Sequence, residues 1–269
     1  MAQGKRSARP CTADLFAEGD DRVKVRVVRA MACAVFPATI FDFNGVLVDD
    51  ELVHRDAFRD VLTPLGVSFS DDEYVERYLG FDDFGALRAM LSDAGRPVSE
   101  QLVSELAETK KPCYMRRAEH SLVIFEGAIS VVERRAARGP VIIVSGALRH
   151  EIAFALERMG IASLFQAIVS AEDAPQGKPD PMGYRLGIAE LSRLIGAADA
   201  QRALVIEDSL SGIAAAKGAG LACLAVAHSY PESQLLAAGA DRVLAHIRDA
   251  DDATIDAMYA RLTWPLAGR

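Results

Sequence analysis

No apolar run in this 269-residue chain approaches the roughly 20 residues needed to span a bilayer, so a membrane partner is not expected. The N-terminus carries Lys5, Arg6 and Arg9, yet Asp14, Glu18, Asp20 and Asp21 stand where a signal peptide would hold unbroken apolar sequence, which argues against export. Cysteine is sparse. Cys11, Cys33, Cys113 and Cys223 include no Cys-x-x-Cys pair, and a chain of this size needs no disulfide to fold, so a reduced, cytoplasmic setting is expected. Positive charge is also short: the formal net charge of -8 excludes the broad basic surface of a nucleic-acid-binding protein but leaves room for a local basic pocket that takes a small phosphate. No internal repeat or low-complexity tract interrupts the chain.

What is present is a globular composition, 51% hydrophobic and 25% charged, enough to bury the core of one large domain or two modest ones. Residues 1–30 mix Gly, Ser, Pro and charges without periodicity and read as a poorly ordered extension, in which 23–28 alternates apolar and basic residues as a marginal edge strand. A natural start at Met31 is an alternative. The apolar run Thr39-Ile40-Phe41 ends abruptly in Asp42-Phe43-Asn44-Gly45, the pattern of a buried strand that delivers an acid to its carboxyl end. From Asp49 the period becomes helical: Leu52, Val53, Ala57, Phe58, Val61 and Leu62 recur up to the stop at Pro64-Leu65-Gly66. Helices follow over 71–79, 84–94 and 99–120, the last expected to kink or split at Pro112.

Nothing β-rich occurs between 53 and 120. That block therefore reads as a small all-helical cap domain (53–121) inserted after the first core strand, with 31–52 and 122–269 forming the core. In the core, short strands at 141–144, 167–169, 203–206, 222–227 and 242–244 alternate with helices at 128–137, 149–159, 181–194, 212–218 and 253–262. Alternation of this kind requires crossovers, and hence a doubly wound, mainly parallel, Rossmann-like α/β sheet.

Four strand or loop ends carry residues suited to phosphate chemistry. Asp42 can attack phosphorus or ligate a hard cation, using different oxygens for the two roles. Glu207-Asp208 places two carboxylates side by side, an arrangement a divalent cation relieves. Lys178, in the rigid turn Gly177-Lys178-Pro179, can neutralise both Asp42 and an incoming phosphate. Ser145-Gly146 offers a hydroxyl and exposed backbone amides just before a helix. Each has a purely structural reading as well: turn or helix capping for Asp42, Asp208 and Ser145, and a solvated side chain for Lys178. Their order along one sheet is what carries the argument.

With these motifs the chain resembles the haloacid dehalogenase superfamily, in its phosphatase and β-phosphoglucomutase-like branch with a helical cap. The resemblance runs from about Phe36 to Ala245 and includes Asp49-Asp50-Glu51, His54 and the cap loop Gly80-Phe81-Asp82-Asp83. It implies a Mg²⁺-dependent phosphatase acting on a small phosphorylated metabolite through an aspartyl phosphate on Asp42. Lys178 and Ser145 are the implied catalytic partners. Ser145, Gly146, Lys178, Gly45, His54, Gly80 and Asp82 are implied to contact substrate or phosphate, and Asp42, Asn44 (through its backbone carbonyl), Asp208 and Glu207 to hold the metal. A sugar-phosphate mutase is a further alternative. A dehalogenase or a phosphonate hydrolase fits less well, the latter because it needs a cap lysine and 53–109 contains none, leaving only Lys110 and Lys111 late in the cap.

Asn44 departs from the family pattern, which places an aspartate there as general acid and base. An amide has no titratable proton near neutral pH, and the lost assistance is worth typically ~10²–10⁴-fold. Four explanations compete: a slow phosphatase restricted to good leaving groups; a substitute group among His54, Asp82 and Asp83; a ligand-binding or regulatory protein without turnover; or deamidation at Asn44-Gly45.

Overall fold

The computed structural model describes residues 35–79 and 81–263. The strand at 23–28, the extension at 1–30 and the cap-loop residue Gly80 lie outside them. The first strand, β1 (Thr39–Phe41), is buried throughout and ends in the acid as expected. A tight turn follows, with Gly45 at φ +72°, and leads to the two-residue β2 (Val48–Asp49).

Four helices come next. α1 (Glu51–Leu62) buries Val53, Ala57, Phe58, Val61 and Leu62 on one stripe. α2 (Asp71–Arg77) opens on a capping box in which Ser70 and Glu73 satisfy each other's backbone N–H groups. α3 (Asp83–Asp93) is capped by Asp82, whose carboxylate accepts from Gly85 N at 2.7 Å. α4 (Glu100–Ser121) runs through Pro112 as one helix and not as two. Its buried residues Val103, Leu106, Ala107, Lys110, Tyr114 and Ala118 continue one face across the proline, and packing of that face outweighs the single lost N–H. Phe58, Leu62, Leu87, Met90, Val103 and their neighbours form a hydrophobic cluster belonging to these helices alone.

The chain returns on β3 (Val123–Ile124), antiparallel to β2 with Val48 opposite Ile124, so two short strands make the stalk through which the helical unit is inserted. At two residues each, β2 and β3 are too short to show an alternating pattern. Thereafter α5 (Ala128–Ala136), β4 (Val141–Val144), α6 (Arg149–Met159), β5 (Phe165–Val169), α7 (Met182–Ile195), the short α8 (Ala197–Ala200), β6 (Leu204–Glu207), α9 (Leu210–Gly218), β7 (Ala222–Val226), α10 (Glu232–Ala237), β8 (Arg242–Leu244) and α11 (Asp252–Tyr259) alternate. The short helices α8 and α10 were not expected from periodicity, which is weak over four to six residues.

The main sheet has the order β5-β4-β1-β6-β7-β8 with every pair parallel. In register, Ile40 lies between Ile142 and Val205, and Phe41 between Ile143 and Ile206. Because side chains alternate across a strand, the first row packs under one helical layer with Tyr184 and Leu191, and the second under the other with Ile152 and Leu156. The connection order reverses on either side of β1. That is the switch point at which open parallel sheets leave a crevice at their carboxyl edge, and Asp42 stands in it.

Candidate active site

The carboxyl edge brings together Asp42 after β1, Ser145 after β4, Glu207-Asp208 at the end of β6 and Lys178 from the loop between β5 and α7. Lys178 Nζ lies 2.7 Å from Asp42 Oδ1 and 2.5 Å from Glu207 Oε1, so one ammonium bridges two buried carboxylates. The Lys178-Pro179 peptide is cis. Burial opposes the lysine's charge, and the two acids more than offset it, raising its pKa above the ordinary value. Burial pushes Asp42 up to about 6 despite Lys178.

Glu207 is almost fully subscribed. Oε1 also accepts from Tyr184 Oη at 2.8 Å, and Oε2 accepts from the backbone N of Asp208 and Ser209 and from Ser209 Oγ at 2.9, 3.0 and 3.0 Å. Gly212 makes room for it, since a Cβ there would sit 1.7 Å from Glu207 Oε1. Lys178 and these donors outweigh burial and lower the acid's pKa.

One oxygen each from Asp42, Glu207 and Asp208 lie within 4.8 Å of one another. Asp208 is raised well above the carboxylate range by burial and by the charges of Glu207 and Asp42. Three buried acids against one lysine leave a charge deficit that a divalent cation fits, and hard oxygen donors are the set such a cation takes. Gly45 belongs to the same cradle: at φ +72°, a Cβ on it would lie 2.0 Å from Asp208 Oδ2. Asp208 Oδ2 in turn accepts from Ser229 Oγ, and His228 Nδ1 meets Gly45 O at 2.7 Å.

Ser145 Oγ accepts from Ala147 N at 3.1 Å and reaches Asn44 Oδ1 at 3.4 Å, while Gly146 is exposed at the head of the loop. Asn44 does not stand free. Its Nδ2 donates to both oxygens of Asp50, at 2.7 and 2.9 Å. Asp50 is 1% exposed and also accepts from Tyr114 Oη at 2.6 Å.

His54, expected to contact substrate, is held in a cluster of buried charged side chains where the helical unit meets the sheet. Its Nε2 is 3.2 Å from Asp50 Oδ2, and its Nδ1 is 2.7 Å from Lys110 Nζ. Lys110 also donates to Asp83 Oδ1 at 2.5 Å. Burial and Lys110 lower the proton affinity of the His54 ring, but Asp50 and Asp83 overcome both and raise it to about 10. Asp82 is exposed and lies over the lysine loop, 3.7 Å from where a Gly177 Cβ would be.

Sequence reasoning did not assign roles to Tyr184, Ser229, His228, Tyr114 or Lys110. None belongs to the strand-end acids, the Ser-Gly turn or the Gly-Lys-Pro turn by which the others were found.

A family profile described as haloacid dehalogenase-like hydrolase matches residues 39–226. The chain belongs to this family. Validoxylamine A 7'-phosphate phosphatase of Streptomyces hygroscopicus subsp. limoneus is 28% identical over 203 residues, covering 75% of this chain and 90% of that protein. Phosphoglycolate phosphatase of Yersinia pseudotuberculosis is 27% identical over 229 residues, covering 84% and 93%. Among solved structures, CbbY from Rhodobacter sphaeroides in complex with phosphate superposes with a TM-score of 0.72 at 25% identity, over 82% of this chain and 100% of that one. The family and the parallel sheet with its helical cap, both expected from the motifs, therefore hold for this hydrolase.

Proposed function

We propose that this hydrolase is a Mg²⁺-dependent phosphatase that takes a small phosphorylated metabolite and passes its phosphoryl group through Asp42. The observation that carries this reading is Lys178 held between Asp42 and Glu207 at the switch point, with Asp208 and Ser145 beside them. A lysine fixed in this way offsets charge on a phosphoryl group without reorganising during the reaction. Asp42 is the nucleophile, and Ser145 Oγ with the amides around Gly146 binds the phosphoryl oxygens. Asp42, Asp208 and the Asn44 carbonyl would hold Mg²⁺, with Glu207 tied up mainly in fixing Lys178. When bound, the cation supplies positive charge to the phosphoryl oxygens and to the crowded acids. Residues 53–121 act as a cap that meets the leaving group, with Asp82 on the loop nearest Lys178. Similarity to proteins named as phosphatases of small phosphorylated compounds supports the same reading.

The test is metal-dependent phosphate release from acetyl phosphate and p-nitrophenyl phosphate by the wild type and Asp42→Asn. Release that disappears in the variant supports the reading, and equal release from both rejects it. The Asn44–Asp50 contact favours a second reading, a ligand-binding protein without turnover. Ligand-induced thermal stabilisation with no release from any donor would select it.

A further inference from the structure

Asn44 and Asp50 form a hydrogen-bonded pair beside the carboxyl edge of the sheet. Asp50 is 1% exposed and takes hydrogen bonds from Tyr114 Oη at 2.6 Å and from Asn44 Nδ2 at 2.7 and 2.9 Å, with His54 Nε2 3.2 Å away. A carboxylate surrounded by donors is an acceptor only, so the orientation of the Asn44 amide is fixed by chemistry: Nδ2 faces Asp50, and Oδ1 faces Ser145, 3.4 Å from its hydroxyl. At position 44 the crevice is offered an acceptor, whereas a departing alkoxide requires a donor.

Of the residues able to substitute, His54 and Asp83 are engaged elsewhere, and Asp82 is partly so. His54 directs one nitrogen at Asp50 and the other at Lys110. Asp83 is buried, 8% exposed, against Lys110. Asp82 spends Oδ1 on Gly85 N and holds Oδ2 over the loop of Gly177.

We propose that Asp50 is a positioning residue that locks Asn44 as a hydrogen-bond acceptor, and that the site therefore takes phosphoryl donors whose leaving group departs unprotonated, acyl phosphates first. The inference rests on the phosphatase reading above. The steps balance without a general acid. In the first, an Asp42 oxygen bonds to phosphorus as the bond from phosphorus to the leaving oxygen breaks, and the leaving group takes the electron pair away as a carboxylate. In the second, water bonds to phosphorus, the Asp42–phosphorus link breaks, and both protons of the water leave on dihydrogen phosphate. Neither step asks residue 44 for a proton.

The experiment measures kcat/KM for acetyl phosphate and a series of substituted phenyl phosphates, with Mg²⁺ present, in the wild type, N44D and N44D/D50N. The wild type is expected to show a steep decline as the leaving group becomes more basic. N44D alone should stay steep, because its new carboxyl group lies against Asp50 and shares a proton with it. N44D/D50N, which exchanges amide and acid, should flatten the slope and raise the rate on the poorest leaving group by ~10²-fold or more, the scale of general acid assistance. A shallow wild-type slope overturns the inference and leaves the phosphatase reading standing, as does N44D alone flattening the slope. Absence of release from every donor overturns both. Should the double variant fail to fold, the wild-type slope decides alone.

Discussion

Lys178 Nζ lies 2.7 Å from Asp42 Oδ1 while its other short contact, to Glu207, anchors it to a side chain with no exposed surface. The lysine is thus part of the sheet edge and not a mobile surface group. Lys178→Met leaves two buried carboxylates without their cation, a change that costs about 3–5 kcal/mol when a buried pair is broken. We expect a clear fall in Tm together with a ~10²–10³-fold loss of kcat/KM on acetyl phosphate. A melting curve that superposes on the wild type would show that Lys178 does not hold these charges.

The acid cluster of Asp42, Glu207 and Asp208 predicts stabilisation by a divalent cation. A ligand that binds only the folded state at about 100 times its Kd stabilises by about 2.7 kcal/mol. Addition of Mg²⁺ to chelator-treated protein should therefore raise Tm, and Asp208→Asn should remove most of the increment. An increment retained in Asp208→Asn places the cation elsewhere.

Gly45 is held at φ +72° with Asp208 Oδ2 where a Cβ would go. Alanine there meets both a left-handed backbone, costing about 1–2 kcal/mol, and a clash at 2.0 Å. Gly45→Ala is expected to weaken Mg²⁺ binding, read by titration calorimetry, more than alanine at Gly160. Gly160 shares a positive φ of 71°, but none of the described residues lies within 4 Å of an added Cβ. Equal Mg²⁺ affinity in the two variants would reject the cradle.

Much of this candidate site was legible because most of its side chains end an apolar run, Lys178 in its Gly-Lys-Pro loop excepted. Asp42, Ser145 and Glu207 follow buried β1, β4 and β6, and the parallel order brings those ends together. The surroundings of His54 were not legible, for the opposite reason. Its role is set by Lys110 and Asp83, 56 and 27 residues apart in their pairings, which meet only once α1, α3 and α4 have packed. Asn44 was recognised as a departure, but its partner Asp50 was not, since a contact across a turn and a two-residue strand leaves no periodic trace. Of the kink or split expected at Pro112, the split does not occur, because the buried face of α4 continues across the proline.

The junction between sheet and helices gives the last prediction, that stability falls as pH rises. Glu151, at the start of α6, is 1% exposed, and its Oε1 has no hydrogen-bond partner among the described residues, while Oε2 accepts from Leu148 N at 3.1 Å. Burial pushes its carboxyl group from 4.5 up to about 7, with Asp83 and Asp50 adding to the shift and His54 and Lys110 opposing it. A folded-state pKa above the unfolded value means a contribution fully present below 4.5 and lost as pH rises through about 7. His54, raised from 6.5 to about 10, has the same sign over a higher window. Tm should therefore decline from about pH 5 to about pH 8, and decline again toward about pH 10. Glu151→Gln keeps an oxygen for Leu148 N and removes the titration. Its profile is expected to fall less steeply than the wild type across the lower window, because Asp42 and His54 still titrate there, with a Tm at about pH 8 at or above the wild type, while the upper decline persists. A Glu151→Gln profile parallel to the wild type throughout would mean that the lower decline arises from some group other than Glu151.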